Sequence, residues 1–459
     1  MSLRTALGAT IAVLLLAGGT SPSAVRAQPD DSSPPNIVLI MVDDLGYGDL
    51  SSYGADVLRT PHIDSLVAAG LRFDRFYANS PVCSPTRAAL LTGRYPDRAG
   101  VPGVIRTHAR NSWGYLRPEA ALLPRVMARA GYHTAMVGKW HLGLEPPNTP
   151  TARGFDVFKG FLGDMMDDYY THRRHGINYM RRNDEVIDPE GHATTLFTEW
   201  ASTYVRDRAS SSAPFFLFLS YNAPHSPIQP PDDWLERVRR RAPDLPEERQ
   251  ELVALIEHLD HGVGTVVQAL RETGAYENTM IVFTSDNGGA LYHGASNGPL
   301  RGGKQDMYEG GIRVPTAVTW PGHVEPGTRT QRIGLTMDLY PTLADVAGVR
   351  LNRRVDGRSL LPVLRGETAA SSDEPRTLFW VRREGGPVYM GQAAYAVRRG
   401  PWKLLQNRPG EPFRLYHLGR DPREQTDVAE DHPGQVESLS EALRRHVQDA
   451  GRVPWQPPR

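Results

Sequence analysis

The sequence predicts an α/β protein with one large, mostly parallel sheet sandwiched between helices, followed by a smaller antiparallel sheet with a helix. Three observations support this fold class. Apolar runs of strand length alternate with segments of helical periodicity. Each apolar run ends in polar residues, as at the ligand-binding edge of a parallel sheet. After about residue 348 the pattern changes to short, closely spaced strands.

The strands of the main sheet are predicted from continuous apolar, β-branched runs, which are typical of strands buried on both faces. These runs are 36–42, 132–137, 215–220 and 279–284. Helices are predicted at 61–69 and 248–271. The alternation of these strands and helices indicates a sandwich of helices around a parallel sheet.

The C-terminal region is predicted to form a small α+β unit. Residues 366–375 are small and polar and indicate a linker or loop. Beyond this stretch, strands are predicted at 377–381, 394–398, 402–405 and 413–417, and a helix at 437–450. We therefore expect a main domain over 35–365 and a small subdomain over 375–459.

The composition is that of a globular protein with no overall charge. The chain has 459 residues, of which 40% are hydrophobic and 23% charged, with 52 basic and 52 acidic side chains. Because there is no net field to attract polyanions, we expect no nucleic-acid partner.

The N-terminus has the three parts of a secretory signal peptide. Arg4 gives a positive start, residues 11–17 are apolar, and Val25-Arg26-Ala27 resembles a cleavage site. The apolar run is too short to span a bilayer, and no lipid-anchor cysteine follows it. We expect removal of residues 1–27, no membrane anchor, and a periplasmic or secreted protein.

Polar side chains follow all four predicted strands of the main sheet. Asp43 and Asp44 follow the first, Lys139 and His141 the second, His225 the third, and Asp286 and Asn287 the fourth. The carboxyl ends of parallel strands meet at one edge of a sheet, where ligands bind. We therefore expect these segments to form one site, although a single such strand end would be unremarkable.

The oxygen-bearing side chains of this set predict a site for a hard cation. Asp43, Asp44, Asp286 and Asn287 offer carboxylate and amide oxygens, which Ca²⁺ prefers, with Mg²⁺ as the alternative. An Asp-Asp pair can also simply cap a turn between a strand and a helix. The matching Asp286-Asn287 pair favours the metal interpretation.

Lysine is rare in this chain, and its positions are informative. Only Lys139, Lys159, Lys304 and Lys403 occur among the 52 basic residues. Lys139 and Lys304 lie in glycine-rich polar runs, which makes them candidates for chemistry that a guanidinium cannot perform. For Lys159 and Lys403 chance retention is reasonable. Two lysines and two histidines at one sheet edge suit the binding of a tetrahedral oxyanion.

The single cysteine, Cys83, lies in the run C-S-P-T-R. A lone cysteine cannot form an internal disulfide, which leaves a reactive role or a buried, inert thiol. Pro85 predicts a helix over 85–91, and Ser84 is its candidate N-cap. The positive end of that helix would face residue 83, and Arg87 lies one turn along.

These motifs together resemble the type I sulfatases. The resemblance runs in order from about residue 35 to 430 with no departure at a catalytic position. Its segments are 35–48, C-S-P-T-R at 83–87, G-K-W-H-L-G at 138–143, A-P-H-S-P at 223–227, S-D-N-G at 285–288, the lysine loop 302–315, and 396–404 with 415–422. It implies an alkaline-phosphatase-like fold and an exported sulfatase that acts on sulfated carbohydrates or aryl sulfates.

The resemblance also implies a mechanism. A maturation enzyme converts Cys83 to Cα-formylglycine, whose hydrate attacks sulfur, forms a covalent sulfo-enzyme intermediate and then releases sulfate. The implied roles are Asp286 as proton acceptor, Lys139, Lys304 and Arg87 as charge stabilisers, His225 (with or without Lys304) as general acid, and His141 as the assistant in sulfate release. The implied metal ligands are Asp43, Asp44, Asp286, Asn287 and the converted Cys83.

Two other functions remain open at this point. A phosphatase or phosphonate hydrolase on the same fold would use Ser or Thr and paired zinc ions, whose ligands are not evident. A non-catalytic binder of sulfated glycans is disfavoured by the intact set of reactive groups. The segment 161–182 is either a substrate loop, with Tyr169, Tyr170, Arg173 and Arg174 as contacts, or a solvated loop of mixed charge, which is slightly favoured.

Overall fold

The structure is a computed structural model that describes residues 34–108, 112–367, 376–385 and 391–457. The predicted signal peptide and most of the predicted linker lie outside these residues.

The strands are Asn36–Val42 (β1), Leu71–Tyr77 (β2), His133–Lys139 (β3), Val157–Phe161 (β4), Arg173–Arg174 (β5), Ile177–Asn178 (β6), Met180–Arg182 (β7), Glu185–Val186 (β8), Phe215–Ser220 (β9), Thr279–Ser285 (β10), Thr316–Thr319 (β11), Thr328–Leu335 (β12), Thr377–Glu384 (β13), Gln392–Arg399 (β14), Trp402–Gln406 (β15) and Arg414–His417 (β16). The helices are Pro61–Ala68 (α1), Cys83–Thr92 (α2), Leu123–Arg129 (α3), Ala193–Ala209 (α4), Asp232–Arg241 (α5), Glu247–Glu272 (α6), Glu309–Ile312 (α7), Leu339–Val346 (α8), Leu361–Leu364 (α9) and Pro433–Ala450 (α10).

The main sheet is mixed but mostly parallel, as predicted. In the described residues it has ten strands in the order β12-β2-β11-β10-β1-β9-β3-β4-β7-β8. Its centre, β10-β1-β9-β3-β4, is parallel throughout, whereas β11 runs antiparallel to both of its neighbours. The four apolar runs singled out in the sequence form the middle of this parallel block, which explains their burial on both faces.

Helices cover both faces of the sheet, and the alternation of side chains along β1 shows why. Val38, Ile40 and Val42 pack into one core with residues of α1, α4 and α6. Ile37 and Met41 point to the other face, where α2, α3 and α8 contribute the second core. Successive side chains of a strand alternate between faces, so one apolar run supplies both cores. The predicted α/β sandwich is confirmed.

The C-terminal strands β13-β14-β15-β16 form an antiparallel sheet, also as predicted. One face packs on α10 through Val397, Leu404 and Leu443. The other face packs on the main sheet, where the buried Trp380 indole donates a hydrogen bond of 2.8 Å to the Ala78 carbonyl. None of the helices in the described ranges is both long enough and apolar enough to cross a membrane.

Helix α2 begins two residues earlier than the sequence predicts. Its first residue is Cys83, and the N-cap is Val82, whose side chain makes no capping hydrogen bond. The prediction of Ser84 as the N-cap was wrong. The Ser84 hydroxyl instead accepts a hydrogen bond of 3.1 Å from the Ile105 amide, so its partner is a distant loop.

A buried ionic network joins the small sheet to the main domain. The Lys403 ammonium lies 3.0 Å from Glu309 and 2.9 Å from Glu424, and all three side chains are almost fully buried. The Tyr77 hydroxyl donates to Glu309 at 2.7 Å. The presence of a lysine at position 403 therefore has a structural explanation, its pairing with two buried carboxylates, which the sequence did not reveal.

Removal of this lysine charge leaves two carboxylates buried without their cation. We expect Lys403→Met to lower the free energy of unfolding by about 3–5 kcal/mol, measured by urea denaturation. Lys159→Met is the control, because Lys159 is partly exposed and rests over the Trp200 ring at 4.1 Å. It should cost about 1 kcal/mol or less. Equal losses in the two variants would contradict a buried network at Lys403.

Buried histidines pack together behind the main sheet edge. The His258 ring lies 4.8 Å from that of His192, which stacks on Tyr169 at 4.9 Å. Burial, reinforced by the neighbouring imidazoles, lowers the pKa of His258 to about 3. Burial also lowers the pKa of His192 to about 4. Both rings are therefore neutral in the folded protein over most of the pH range.

These pKa values make the fold sensitive to acid. Because the folded pKa is depressed below about 6.5, the unfolded chain binds more protons, and stability falls as the pH drops from about 6.5 towards 4. Each such histidine adds about 1.4 kcal/mol per pH unit to this loss. We expect His258→Gln to show a shallower loss in urea denaturation across that range. If His258→Gln showed the same pH dependence of unfolding as the wild type, His258 would not titrate as stated.

Candidate active site

The carboxyl ends of four adjacent parallel strands bring the candidate residues together. The strand order β10-β1-β9-β3 places Asp286, Asp43, His225 and Lys139 along one edge of the sheet. Backbone hydrogen bonds extend this alignment past the strand ends. The Asp286 amide donates to the Val42 carbonyl, and the Asp43 amide donates to the Ala223 carbonyl, both at 3.1 Å. The convergence predicted from the sequence is therefore present in the structure.

Cys83 lies at the first turn of α2, facing this edge. Its Sγ is 3.3 Å from Asp43 Oδ1, and the residue is only 3% exposed. Burial, together with the negative charges of Asp43 and Asp286, raises the pKa of the Cys83 thiol well above its usual range. An unmodified Cys83 is therefore a neutral thiol and a poor nucleophile.

Arg87 lies one turn further along α2 and is completely buried. Its guanidinium is 2.8 Å from Asp286 and 3.4 Å from Asp43. It also donates to the Lys139 carbonyl at 2.9 Å and to the Ser220 hydroxyl at 2.5 Å. Because every nitrogen of the guanidinium has a hydrogen-bond or ion-pair partner, Arg87 fixes the carboxylates of Asp43 and Asp286 relative to α2.

Lys139 and Asp43 form a second buried ion pair at the centre of the site. Lys139 Nζ donates to Asp43 Oδ2, and neither side chain is accessible. Burial alone would raise the pKa of Asp43, but the positive charges of Lys139, Arg87 and Lys304 hold it well below its usual range. Asp43 is therefore ionised whenever the protein is folded.

Asp286 differs from Asp43 in its protonation. Burial, and then the charge of Asp43, raise the pKa of Asp286 to about 7 in spite of its pair with Arg87. Asp286 Oδ1 accepts a hydrogen bond of 3.3 Å from the Asp44 amide. A carboxylate with a pKa near neutrality suits proton transfer.

Lys304, Asp44 and His225 form a third group at the open side of the site. Lys304 Nζ lies 2.7 Å from Asp44 Oδ2 and 2.9 Å from His225 Nε2. His225 Nδ1 is 2.7 Å from the Ser226 carbonyl, which can only accept, so this nitrogen carries the proton. His225 Nε2 is then the acceptor for the Lys304 ammonium. Burial and the charge of Lys304 lower the pKa of His225 to about 4.

The tautomer of His141 is fixed in the same way. Its Nε2 lies 2.8 Å from the Ile105 carbonyl and must donate to it. The other nitrogen, Nδ1, is buried and has no hydrogen-bond partner among the described residues. Burial and the charge of Lys139 lower the pKa of His141, which leaves Nδ1 as a free proton acceptor.

The backbone is strained at two of these residues. Asp44 has φ 66° and His141 has φ 62°, both in the left-handed region that side-chain-bearing residues rarely adopt. Such conformations persist where the surrounding structure holds them in place, and they concentrate at functional sites. Here they orient a carboxylate and an imidazole at the ends of β1 and β3.

The lysine loop packs directly on the S-D-N-G turn. The Gly288 amide donates to the Gly311 carbonyl and the Lys304 amide to the Gly289 carbonyl, both at 3.0 Å. A Cβ at Gly288 would lie 1.8 Å from the Gly310 carbonyl oxygen, so only glycine fits there. This close approach brings Lys304 to the site even though it is not at a strand end.

The site also has the donor atoms for a divalent cation. Asp43, Asp44, Cys83 and His225 offer donor atoms that all lie within 4.8 Å of one another. Asn287 Nδ2 donates to Asp44 Oδ1 at 2.7 Å, while its Oδ1 is buried without a partner in the described part of the chain. A buried unpaired oxygen is costly, and a hard cation would satisfy it. These residues therefore fit the predicted metal.

Ser220 was missed by the sequence analysis, and Tyr169 was given a different role there, as a contact of a possible substrate loop. The Ser220 hydroxyl donates to the Lys139 carbonyl at 2.8 Å and accepts from Arg87. Tyr169 is buried, and its hydroxyl donates to the His225 carbonyl at 2.8 Å. A polar residue at the end of the otherwise apolar run F-F-L-F-L-S was the available signal for Ser220.

The two arginines of segment 161–182 that were predicted as substrate contacts, Arg173 and Arg174, are already paired with carboxylates. Arg173 pairs with Asp188 at 2.7 Å, and Arg174 pairs with Asp164 at 3.1 Å and Asp167 at 2.7 Å. Tyr169 is buried, so only Tyr170 of the two tyrosines is exposed. These contacts favour the interpretation of a self-paired loop of mixed charge.

Comparison with known proteins agrees with this geometry. A family model described as Sulfatase matches residues 35–349, and one described as N-sulphoglucosamine sulphohydrolase, C-terminal, matches residues 303–452. N-acetylgalactosamine-6-sulfatase of Homo sapiens is 33% identical over 473 residues, which cover 92% of this chain and 87% of that protein. Arylsulfatase A of Homo sapiens is 33% identical over 468 residues, with 90% and 87% covered.

Solved structures with a similar fold are also found. The crystal structure of Ps i-CgsB in complex with k-i-k-neocarrahexaose is similar with a TM-score of 0.83 and 32% identity, over 92% of this chain and 95% of that one. Fold and site together define a sulfuric ester hydrolase with an alkaline-phosphatase-like fold. The chain belongs to the sulfatase family.

The unpaired Asn287 oxygen gives a test of the metal site. We expect wild-type protein stripped with EDTA to bind Ca²⁺ in calorimetry, and Asn287→Ala to bind it more than about ten-fold more weakly, since even outer partners of metal ligands change affinity by about 10–100-fold. Asn287→Asp keeps an oxygen donor and should retain binding. If Asn287→Ala bound Ca²⁺ like the wild type, Asn287 would not be a ligand.

Proposed function

We propose that this chain is an exported sulfatase that hydrolyses sulfate esters of carbohydrates after Cys83 has been converted to Cα-formylglycine by a maturation enzyme. The observation that carries the proposal is the position of Cys83, which is buried at the start of α2 with its Sγ 3.3 Å from Asp43, a carboxylate that also pairs with Arg87. Its raised pKa makes the unmodified thiol unsuited to nucleophilic attack. A modified side chain is consistent with this environment.

The proposed substrate class rests on relatives and on the rim of the site. N-acetylgalactosamine-6-sulfatase carries a sulfated amino sugar in its name, and Ps i-CgsB was solved with a neocarrahexaose. Tyr292 is an exposed large side chain, and the charges of Lys304 and Asp44 act on it, which indicates that its ring lies near the site. Exposed aromatic rings offer flat apolar faces, which suit a sugar ring. Aryl sulfates are the simpler alternative substrates.

The first step needs a nucleophile and compensation of negative charge. The hydrate of the aldehyde at position 83 supplies one hydroxyl for attack on sulfur and a second for later release of sulfate. Asp286, with a pKa of about 7, is the proposed acceptor for the proton of the attacking hydroxyl. Lys139, Lys304 and Arg87 supply fixed positive charge where negative charge develops on the sulfuryl oxygens.

The leaving alcohol requires a proton, and Lys304 together with His225 is its proposed source. His225 has a pKa of about 4 and is neutral near pH 7, so it holds no extra proton of its own. Its Nε2 accepts from the Lys304 ammonium at 2.9 Å. We therefore propose that Lys304 and His225 act together as the general acid. The Lys304 ammonium supplies the proton, and the hydrogen bond to His225 orients this ammonium towards the ester oxygen.

Release of sulfate requires a base on a different side of the site. His141 Nδ1 is unprotonated, buried and without a partner among the described residues. It is the proposed acceptor for the proton of the second hydroxyl. This role depends on the Ile105 carbonyl, which holds the opposite nitrogen in its protonated form.

The proposed cation is Ca²⁺, with Mg²⁺ as the alternative, held by Asp43, Asp44, Asp286, Asn287 and residue 83. When bound, it stabilises negative charge on the oxygens of the sulfate group. Asp43 remains ionised in the folded protein, because Lys139 and Arg87 lie beside it. We further propose that residues 1–27 direct export to the periplasm or the medium.

The decisive experiment is the mass of the tryptic peptide 76–87, from protein made in its native host, together with turnover of an aryl sulfate. We expect an aldehyde in place of the thiol, and we expect Cys83→Ala to lose activity by at least about 10⁴-fold, as for loss of a nucleophile. Cys83→Ala should keep the wild-type midpoint in thermal unfolding. A thiol in an active enzyme, or substantial activity in a folded Cys83→Ala, would refute the proposal.

A further inference from the structure

A second cavity lies between the main sheet and the small C-terminal sheet. Its volume is about 680 Å³, within the range of small-molecule sites. Arg75, Tyr77 and Leu360 belong to its wall on the main domain, and Leu378 and Arg398 to its wall on the small sheet. None of the candidate active-site residues lines it, so this interdomain cleft is a separate feature.

The interdomain cleft is rich in arginine. Six arginines line it, and two carboxylates accompany them. The arginines are Arg75, Arg313, Arg332, Arg358, Arg376 and Arg398, and the carboxylates are Glu309 and Asp338. In a chain with equal numbers of acidic and basic residues, this is a local excess of positive charge.

Both carboxylates of the cleft are already neutralised. Asp338 accepts two hydrogen bonds of 2.9 Å from Arg376, and it also accepts the Arg358 amide at 2.7 Å and the Leu335 amide at 2.9 Å. Glu309 lies 3.0 Å from the buried Lys403 ammonium and accepts from the Tyr77 hydroxyl. Glu309 also lies 3.8 Å from Arg313, so neither acid forms an ion pair with Arg75, Arg358 or Arg398 among the residues that the structure describes.

Three arginines of the cleft lack a carboxylate partner within the described ranges. Arg75 is half-buried and Arg358 is exposed, and neither side chain forms an ion pair there. Arg398 is only 4% exposed, and its guanidinium donates to the Tyr77 hydroxyl and, at 3.0 Å, to the Gly400 carbonyl. Burial alone would lower the pKa of Arg398, but Tyr77 and the nearby Glu309 raise it, so Arg398 stays charged while its hydrogen bonds go only to neutral groups.

We propose that the interdomain cleft binds a small oligoanion, whose sulfate, phosphate or carboxylate groups contact Arg75, Arg358 and Arg398. Guanidinium groups form bidentate, charge-assisted hydrogen bonds with such anions. The apolar part of the ligand packs against Leu360, Leu378 and the neighbouring prolines of the lining. This site is independent of the proposed sulfatase reaction.

The test is calorimetric titration of the full-length protein with two probes. Sucrose octasulfate represents sulfated ligands, and fructose 1,6-bisphosphate represents phosphorylated ones. We expect the double variant Arg75→Ala/Arg358→Ala to bind the preferred probe at least about ten-fold more weakly than the wild type, because two charge-assisted contacts are lost. The preferred probe identifies the anion.

Two controls make the result specific. Arg420→Ala/Arg444→Ala removes two exposed arginines outside the cleft and should bind the probe like the wild type. Lys304→Ala alters the candidate active site and should retain binding, since the probe occupies the cleft. Binding of neither probe, equal binding by the Arg75→Ala/Arg358→Ala variant, or loss of binding in Lys304→Ala would each overturn the proposal.

Discussion

The compensation of charge at one buried sheet edge is the constraint on which the rest of the site depends. Asp43 is fully buried and stays ionised only because Lys139 and Arg87 lie against it. Burial of an unpaired charge costs a large amount of free energy in folding. Each charged side chain of the site therefore depends on its oppositely charged neighbours. The ends of β1 and β10 supply the acids, the ends of β3 and β9 supply Lys139 and the two histidines, and α2 and the lysine loop supply the remaining cations. The acids and cations of such a site must therefore become buried together.

Much of this arrangement could be predicted from the sequence because its signals are local. Continuous apolar runs located β1, β3, β9 and β10, and the polar residues just beyond them located the acids, Lys139 and the histidines. The rule that parallel strand ends share an edge was sufficient to bring them together. The sequence resemblance added the chemistry and the position of Lys304. The α/β sandwich, the small antiparallel sheet and the sulfatase family are all confirmed.

What could not be predicted depends on partners distant in the sequence. The start of α2 shifted because Ser84 contacts Ile105 and does not cap its own helix. Lys403 gave no local sign that it would be enclosed by Glu309 and Glu424. The direction of proton transfer between Lys304 and His225 depends on which ring nitrogen of His225 contacts the Ser226 carbonyl, and only atomic positions reveal this. The arginines of the interdomain cleft come from segments more than 300 residues apart.

The burial of Cys83 has a consequence for how the protein is made. Every residue of α2 is buried, and Cys83 begins this helix at 3% exposure. The proposed conversion of Cys83 would need access to the residues around it, and the folded molecule buries all ten residues of α2. Conversion would therefore have to occur before α2 is buried, in competition with folding. The fraction of active molecules would then depend on the ratio of these two rates rather than on the amount of protein synthesised.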